Sequence, residues 1–161
     1  MPAQSLLQAI AVGDRILLDT SVLIAYLDGD EASHPVARYV VDDLVASGRN
    51  PGVVSMVSVM EILIRPMRMT PEGHHTVLGF LRSQPYLDLV PIDIQVAQDA
   101  AHLRAMQRFS APDALVVGTG LATQVHHLVT NDLAWQSKLA DMTARISVVR
   151  LADHLPFPAR T

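Results

Sequence analysis

The sequence predicts an α/β domain: a mostly parallel central sheet of about five strands with helices on both faces. Three observations predict it. Five short apolar runs, at residues 16–18, 53–57, 87–90, 128–130 and 146–149, read as buried strands, and amphipathic or apolar helical stretches fall between them. Parallel strands need long crossovers, which helices supply. The chain has 161 residues, 50% apolar and only 17% charged, enough for one packed domain and too apolar for disorder.

Taken in order, Leu6, Leu7, Ile10 and Ala11 recur at helical spacing ahead of Gly13. Residues 1–14 therefore form an N-terminal helical extension, helical over 4–12, and the main domain spans 15–155. Strand 16–18 leads into a helix that Thr20 or Ser21 caps. The break at residues 29–35 separates it from a second helix, whose stripe of Val36, Val40, Val41, Leu44 and Val45 ends at Gly48. Strand 53–57 precedes a helix opened by the S-x-x-E capping box of Ser58 and Glu61, which Pro66 ends or bends. Thr70-Pro71-Glu72 starts another helix, running to about residue 83.

After strand 87–90, Asp93 caps a helix with Val96, Ala100, Leu103 and Met106 on its apolar face. Ser110-Ala111-Pro112-Asp113 opens the next, apolar all round and so central. Strand 128–130, the Asn131-Asp132 turn, a helix over 133–139 and strand 146–149 complete the domain. From about His154 the chain is Pro-rich, and 156–161 read as a loose tail.

Composition narrows the function. With no cysteine there is no disulfide and no thiolate zinc site, which fits the cytoplasm. No basic leader and no apolar run of membrane-spanning length is present, so a soluble protein is expected. The formal charge is 12 − 16 = −4, which disfavours broad attraction to nucleic acid but suits an acidic site. Lys138 is the sole lysine beside 11 arginines. No phosphate-cradling G-x-x-x-x-G-K-[ST] or G-x-G-x-x-G loop occurs.

Four acids stand out by position. Asp19 follows the first strand, Asp132 follows the fourth, Glu61 starts the helix after the second, and Asp113 lies in the first turn of the central helix. Ligands of open α/β sheets gather beyond the carboxyl ends of the strands. Each acid singly has a structural alternative: Asp19 as a helix cap, Glu61 and Asp113 in capping boxes, Glu61 paired with Arg65, Asp132 as a turn residue. Jointly, apolar flanks press Asp19, Glu61 and Asp113 toward the core. Two carboxylates about 4 Å apart at an effective dielectric near 20 repel by roughly 4 kcal/mol, against about 0.3–1 kcal/mol from a helix N-terminus. A divalent cation would offset that repulsion, and an all-oxygen, partly hydrated site suits Mg²⁺ or Mn²⁺.

The adjacent pairs His74-His75 and His126-His127 diverge in a helix or a strand and make no natural chelate. Arg104 and Arg108 share one helical face ahead of Ser110 and are candidate phosphate contacts. Met56, Met60, Met67 and Met69 read as core filler.

The stretches L-L-D-T-S-V-L-I-A-Y-L, S-V-M-E-I-L, S-A-P-D-A-L-V-V-G-T-G-L and L-V-T-N-D-L-A-W, in this order over about residues 16–155, resemble the PIN-domain nucleases. Within that family they resemble the toxins of VapBC-type toxin-antitoxin pairs. The resemblance implies a PIN-like fold and a Mg²⁺- or Mn²⁺-dependent ribonuclease. It implies an acidic quartet of Asp19, Glu61, Asp113 and Asp132, with Asp19 and Asp113 as direct metal ligands. Thr20, Ser21, Thr130 and Asn131 support the site, and Ser21 stands where the family often has asparagine. The partners implied are an RNA substrate, an antitoxin protein and a second copy in a homodimer. Two other functions fit the same residues: a housekeeping PIN nuclease in RNA processing, and a noncatalytic module that binds RNA or protein.

Overall fold

A computed structural model describes residues 2–143 and 145–157. Five parallel strands form one sheet: β1 (Ile16–Leu18), β2 (Gly52–Ser55), β3 (Leu87–Val90), β4 (His127–Thr130) and β5 (Ser147–Arg150). Their spatial order is β3-β2-β1-β4-β5, and the five parallel strands with helices on both faces are the predicted α/β class. From β1 the chain builds outward one way through β2 and β3, then returns to build the other way through β4 and β5. That reversal leaves a crevice beyond the carboxyl ends of β1 and β4, the place where such sheets take ligands.

Strand periodicity sorts the core onto two faces. Ile16, Leu18, Val54 and Val129 pack on one side. They meet α1 (Pro2–Ala9), α2 (Thr20–Leu27), α3 (His34–Arg38) and α5 (His74–Ser83) through Leu6, Val22, Leu23, Val36 and Leu81. Leu17, Val53 and Leu128 point the other way, toward α6 (Ile94–Gln107), α7 (Ala111–Ala122) and α8 (Ala134–Lys138), through Leu103, Val117 and Trp135. A Cβ on Gly118 would lie 2.9 Å from the Val96 carbonyl oxygen and 3.0 Å from the Ala100 nitrogen. Glycine there lets α7 lie directly against α6.

Several local expectations shift. The second strand ends at Ser55, not residue 57, and Ser55 caps α4 (Met56–Met69) by accepting from the Val57 N–H at 3.2 Å. Ser58 therefore lies inside the helix with a buried, unpartnered hydroxyl, and the Ser58–Glu61 capping box does not form. Glu61 sits in the second turn. Pro66 does not end α4, which runs on to Met69; lacking an N–H, it gives up one bond of the ladder there while the Thr70 N–H still reaches the Pro66 carbonyl. The next helix begins at His74, after a turn over 71–73, rather than at Thr70.

The stripe of Val36, Val40, Val41, Leu44 and Val45 is buried as expected, but Tyr39–Val45 is a π-helix, with the Ala46 N–H reaching the Val41 carbonyl. Its wider turn faces both members of the Val40-Val41 and Leu44-Val45 pairs inward. Met56, Met60, Met67 and Met69 are not core: they are 36–73% exposed, because α4 buries the other face through Val57, Val59 and Ile62.

The N-terminal helix α1 meets the segment after β5. Leu6 and Ile10 are fully buried, and Ser5 Oγ is hydrogen-bonded to His154 Nδ1 at 2.5 Å. His154 closes a 3₁₀ turn, Leu151–His154, and is 8% exposed, so the loose segment does not begin there. Phe157 packs on Tyr39 with ring centroids 5.1 Å apart. The rest of the expected tail, 158–161, lies outside the described residues.

Candidate active site

Asp19 ends β1 and precedes α2, with backbone φ −69° and ψ 157°, yet its carboxylate makes no capping bond to that helix. The plain helix-cap reading of Asp19 fails on that geometry. Instead Oδ2 accepts three hydrogen bonds: from Ser21 Oγ at 2.9 Å, Thr130 Oγ1 at 2.8 Å and Trp135 Nε1 at 3.2 Å. The donors come from α2, β4 and α8, so three elements fix one oxygen of a side chain only 7% exposed. Burying a carboxylate this deeply costs free energy, which hydrogen bonds from these donors offset.

The expected supporting residues sit around it. Asn131 N–H donates to Ser21 Oγ at 2.8 Å, and Asp132 N–H donates to Thr130 Oγ1 at 2.9 Å. The Thr-Asn-Asp turn thus clamps the end of β4 to the start of α2. The Asn131 side-chain oxygen Oδ1 also accepts from the buried Ser33 hydroxyl at 2.9 Å. Thr20 donates to Glu61 Oε2 at 2.6 Å, which ties α4 to α2. Arg65 does not pair with Glu61; it approaches Asp28 at 3.9 Å.

All four acids line one open cavity of about 270 Å³, together with Thr20, Ser21, Ile24, Val116 and Trp135. Burial falls across it: Asp19 is buried, Glu61 and Asp113 are half-buried and Asp132 is exposed. The core pressure expected on three acids thus acts fully on Asp19 alone. Asp113 is in the first turn of α7, where its N–H caps onto Ser110 Oγ at 3.3 Å. Asp132 Oδ1 accepts from the Ala134 N–H at 2.9 Å, a turn bond made beside the cavity. Arg108 lines a neighbouring recess with Asp113, whereas Arg104 is exposed on α6 and lines none of the cavities around the acids.

Two residues at the acids, Trp135 lining the cavity and Lys138 beside it, were not among the candidate site residues. Trp135 is 3% exposed and carries the third donor to Asp19. Lys138 Nζ donates to Asp113 Oδ2 at 2.8 Å and stands 4.8 Å from the Trp135 ring centroid. Their signal was the spacing Asp132, Trp135, Lys138: steps of three that follow one helical face, occupied by the chain's single tryptophan and single lysine.

The oxygen-only donor set, without cysteine or histidine, fits a hard divalent cation. Among the described residues no three acidic or histidine side chains converge closely enough to hold an ion by themselves. Mg²⁺ meets such a spread set by keeping several waters.

The sequence matches the PIN domain over residues 16–141. The chain belongs to the PIN-domain family. No curated protein matches it in sequence. Solved structures share the PIN fold at low identity. A toxin-antitoxin complex from Klebsiella pneumoniae aligns with TM-score 0.62 and 18% identity, covering 84% of this chain and 97% of that one. FitAcB from Neisseria gonorrhoeae gives 0.64 and 19%, covering 85% and 98%. VapC20 of Mycobacterium tuberculosis, a toxin that cleaves the Sarcin-Ricin loop, gives 0.59 and 14%, covering 76% and 93%. The PIN match begins at β1 and leaves α1 and β5 outside it.

Proposed function

We propose that this PIN domain is a Mg²⁺- or Mn²⁺-dependent ribonuclease, the toxin of a toxin-antitoxin pair. The observation that carries the reading is that Asp19, Glu61, Asp113 and Asp132 line one cavity at the sheet crevice, with Asp19 fixed by three donors. Asp19 and Asp113 would hold the ion directly, Asp132 would complete the set directly or through water, and Glu61 would orient a water. A bound divalent ion would supply charge stabilisation on the phosphate and a more acidic water.

The chain's own residues do the rest. Ser21, Thr130 and Trp135 keep Asp19 Oδ2 in place, which leaves Oδ1 free to face the cavity. Thr20 fixes the Glu61 carboxylate. The openness of the cavity on the Asp132 side suits a strand of RNA rather than an enclosed small molecule.

An antitoxin partner is supported by the surface beside the site. A mainly apolar groove of about 560 Å³ runs from Ile24 and Glu61 past Leu27, Ile62, Pro66 and Val77. Exposed Met60, Ile64, Met67 and Met69 flank it on α4. Apolar area of this kind on a PIN domain calls for a protein to cover it. The Klebsiella structure is such a toxin with its antitoxin. We further propose a homodimer acting in the cytoplasm, with residues 15–155 as the nuclease unit, 1–14 packed upon it and 156–161 as a tail. Among the described residues no helix is long and apolar enough to cross a membrane.

The deciding experiment is cleavage of total cellular RNA by the purified chain with Mg²⁺ or Mn²⁺, compared with chelator and with Asp19→Asn. Metal-dependent cleavage lost in Asp19→Asn supports the nuclease; no cleavage under any condition rejects it. Growth arrest on expression, relieved by Asp19→Asn, favours the toxin over a housekeeping enzyme.

A further inference from the structure

Lys138 is the chain's sole lysine and the last residue of α8. Its ammonium bonds Asp113 at 2.8 Å and stands over the Trp135 ring, 4.8 Å from the centroid. That ring in turn donates to Asp19. One indole therefore contacts both the central carboxylate and a cation beside the acidic cavity. The ion pair is open to water, its side chains 37% and 27% exposed. Pairs that open are held weakly and exchange partners readily.

Asp113 stands between two recesses. On one side is the cavity of the four acids. On the other is a smaller one of about 90 Å³, lined by Gln107, Arg108, Phe109, Ser110, Asp113 and Lys138. Its charged groups other than Asp113 are both cationic. Arg108 has left-handed backbone, φ 56°, at the end of α6, and makes no ion pair among the described residues. With Asp113 taken by another cation, the recess would present two positive groups beside a polar rim, which is the chemistry of a phosphate contact.

We propose that Lys138 is an exchangeable counter-ion of the site. Without a divalent cation it neutralises Asp113; when a cation takes that carboxylate, Lys138 turns with Arg108 to a backbone phosphate of single-stranded RNA. The proposal rests on the metal-dependent nuclease reading above and adds a phosphate subsite and the residue that couples it to the metal. Two consequences follow from competition at one carboxylate. Removing the ammonium strengthens metal binding, and the mutual strengthening of metal and RNA, necessarily reciprocal, runs through Lys138.

The test uses the full chain, stripped by chelator, as wild type, Lys138→Gln and Lys138→Arg. Melting in chelator establishes that each is folded. Calorimetry with Mn²⁺ alone reads metal affinity. Anisotropy of a short labelled single-stranded RNA, with and without Ca²⁺, reads the subsite, since Ca²⁺ fills oxygen sites in a looser geometry than Mg²⁺. Lys138→Gln should bind Mn²⁺ about threefold to fivefold more tightly, the scale of a half-exposed ion pair. It should also lose most of the gain in RNA affinity that the cation gives wild type, while Lys138→Arg keeps that gain. If wild type binds Mn²⁺ and cleaves RNA but Lys138→Gln matches it in both affinities, the counter-ion role is overturned and the nuclease reading stands. If wild type neither binds Mn²⁺ nor cleaves RNA, the nuclease reading fails and this proposal fails with it.

Discussion

Trp135 donates from Nε1 to Asp19 Oδ2 across 3.2 Å, joining the short helix α8 to the carboxylate at the end of β1. The indole is buried against Phe109, ring centroids 6.5 Å apart, so its orientation is set by packing as well as by the bond. Trp135→Phe keeps the ring and removes the donor. A hydrogen bond to a charged group contributes about 1.5–3 kcal/mol, so the melting temperature should fall by roughly 3–9 °C for a domain of this size. RNA cleavage should fall about tenfold, as one of three restraints on Asp19 is lost. An unchanged melting curve together with unchanged cleavage would show that the bond does not hold the site.

Asp19→Asn separates a metal site from a structural carboxylate. An ion that binds only the native state at one hundred times its Kd stabilises by about 2.7 kcal/mol. Wild type should therefore melt several degrees higher in millimolar Mn²⁺ than in chelator. The variant should lose that rise, and its cleavage should drop by more than the ~100-fold that outer contacts of a metal site are worth. A full Mn²⁺ response in Asp19→Asn would place the ion elsewhere.

Thr20 acts on the site through Glu61. Its hydroxyl donates to Glu61 Oε2 at 2.6 Å, and Thr20→Val preserves the shape of the side chain while removing the donor. Cleavage should fall about 10-fold to 100-fold, with a stability loss of about 1 kcal/mol. Because the effect passes through one carboxylate, Thr20→Val with Glu61→Gln should cleave no worse than Glu61→Gln alone. Additive losses in the double variant would refute that route.

The contact of α1 with His154 should respond to pH. Burial holds the His154 imidazole below its ordinary value near 6.5, against a smaller opposing pull from Asp153. Below that value the unfolded chain takes up a proton that the folded chain resists. Stability from this group is thus complete above about pH 6.5 and declines as pH falls toward the lower folded value. His154→Gln should flatten the fall in melting temperature as pH drops below about 6.5. At more acid pH a second loss is expected from Asp14, whose carboxyl is held low by its hydrogen bond to His127 Nε2 at 2.7 Å and exists fully charged only above its lowered value.

The N-terminal helix is part of the core cluster on its face of the sheet. Leu6 is fully buried beside Ile10 and Leu151. Leu6→Ala should cost about 2–5 kcal/mol in urea unfolding, the range for a leucine in a packed core. A loss below about 0.5 kcal/mol, as at a surface position, would mean that α1 only rests on the domain.

The α/β class, the five strands and the sheet edge carrying Asp19 and Asp132 were legible in the sequence, because they follow from local patterns. Runs such as Ile16-Leu17-Leu18, short, wholly apolar and bounded by Gly13-Asp14-Arg15 and Asp19, read as buried strand, and parallel pairing then obliges helices between them. The Ser110 and Asp93 caps were legible for the same reason, each bonding an N–H three residues on. The cap of α4 was not, since Ser55 and Ser58 compete for one role and only the packing of β2 decided for Ser55. Nor could local pattern show which way an oxygen faces. Asp19 looks like a helix cap until the fold brings Thr130 and Trp135, more than 100 residues away in sequence, onto its Oδ2. The ion pair of Lys138 with Asp113 and the apolar exposure of α4 are likewise set by which helix faces meet. The sequence by itself determined the elements and the edge on which the acids gather. Tertiary structure decided which donors hold each acid, because those contacts join side chains whose distance in sequence carries no periodic trace.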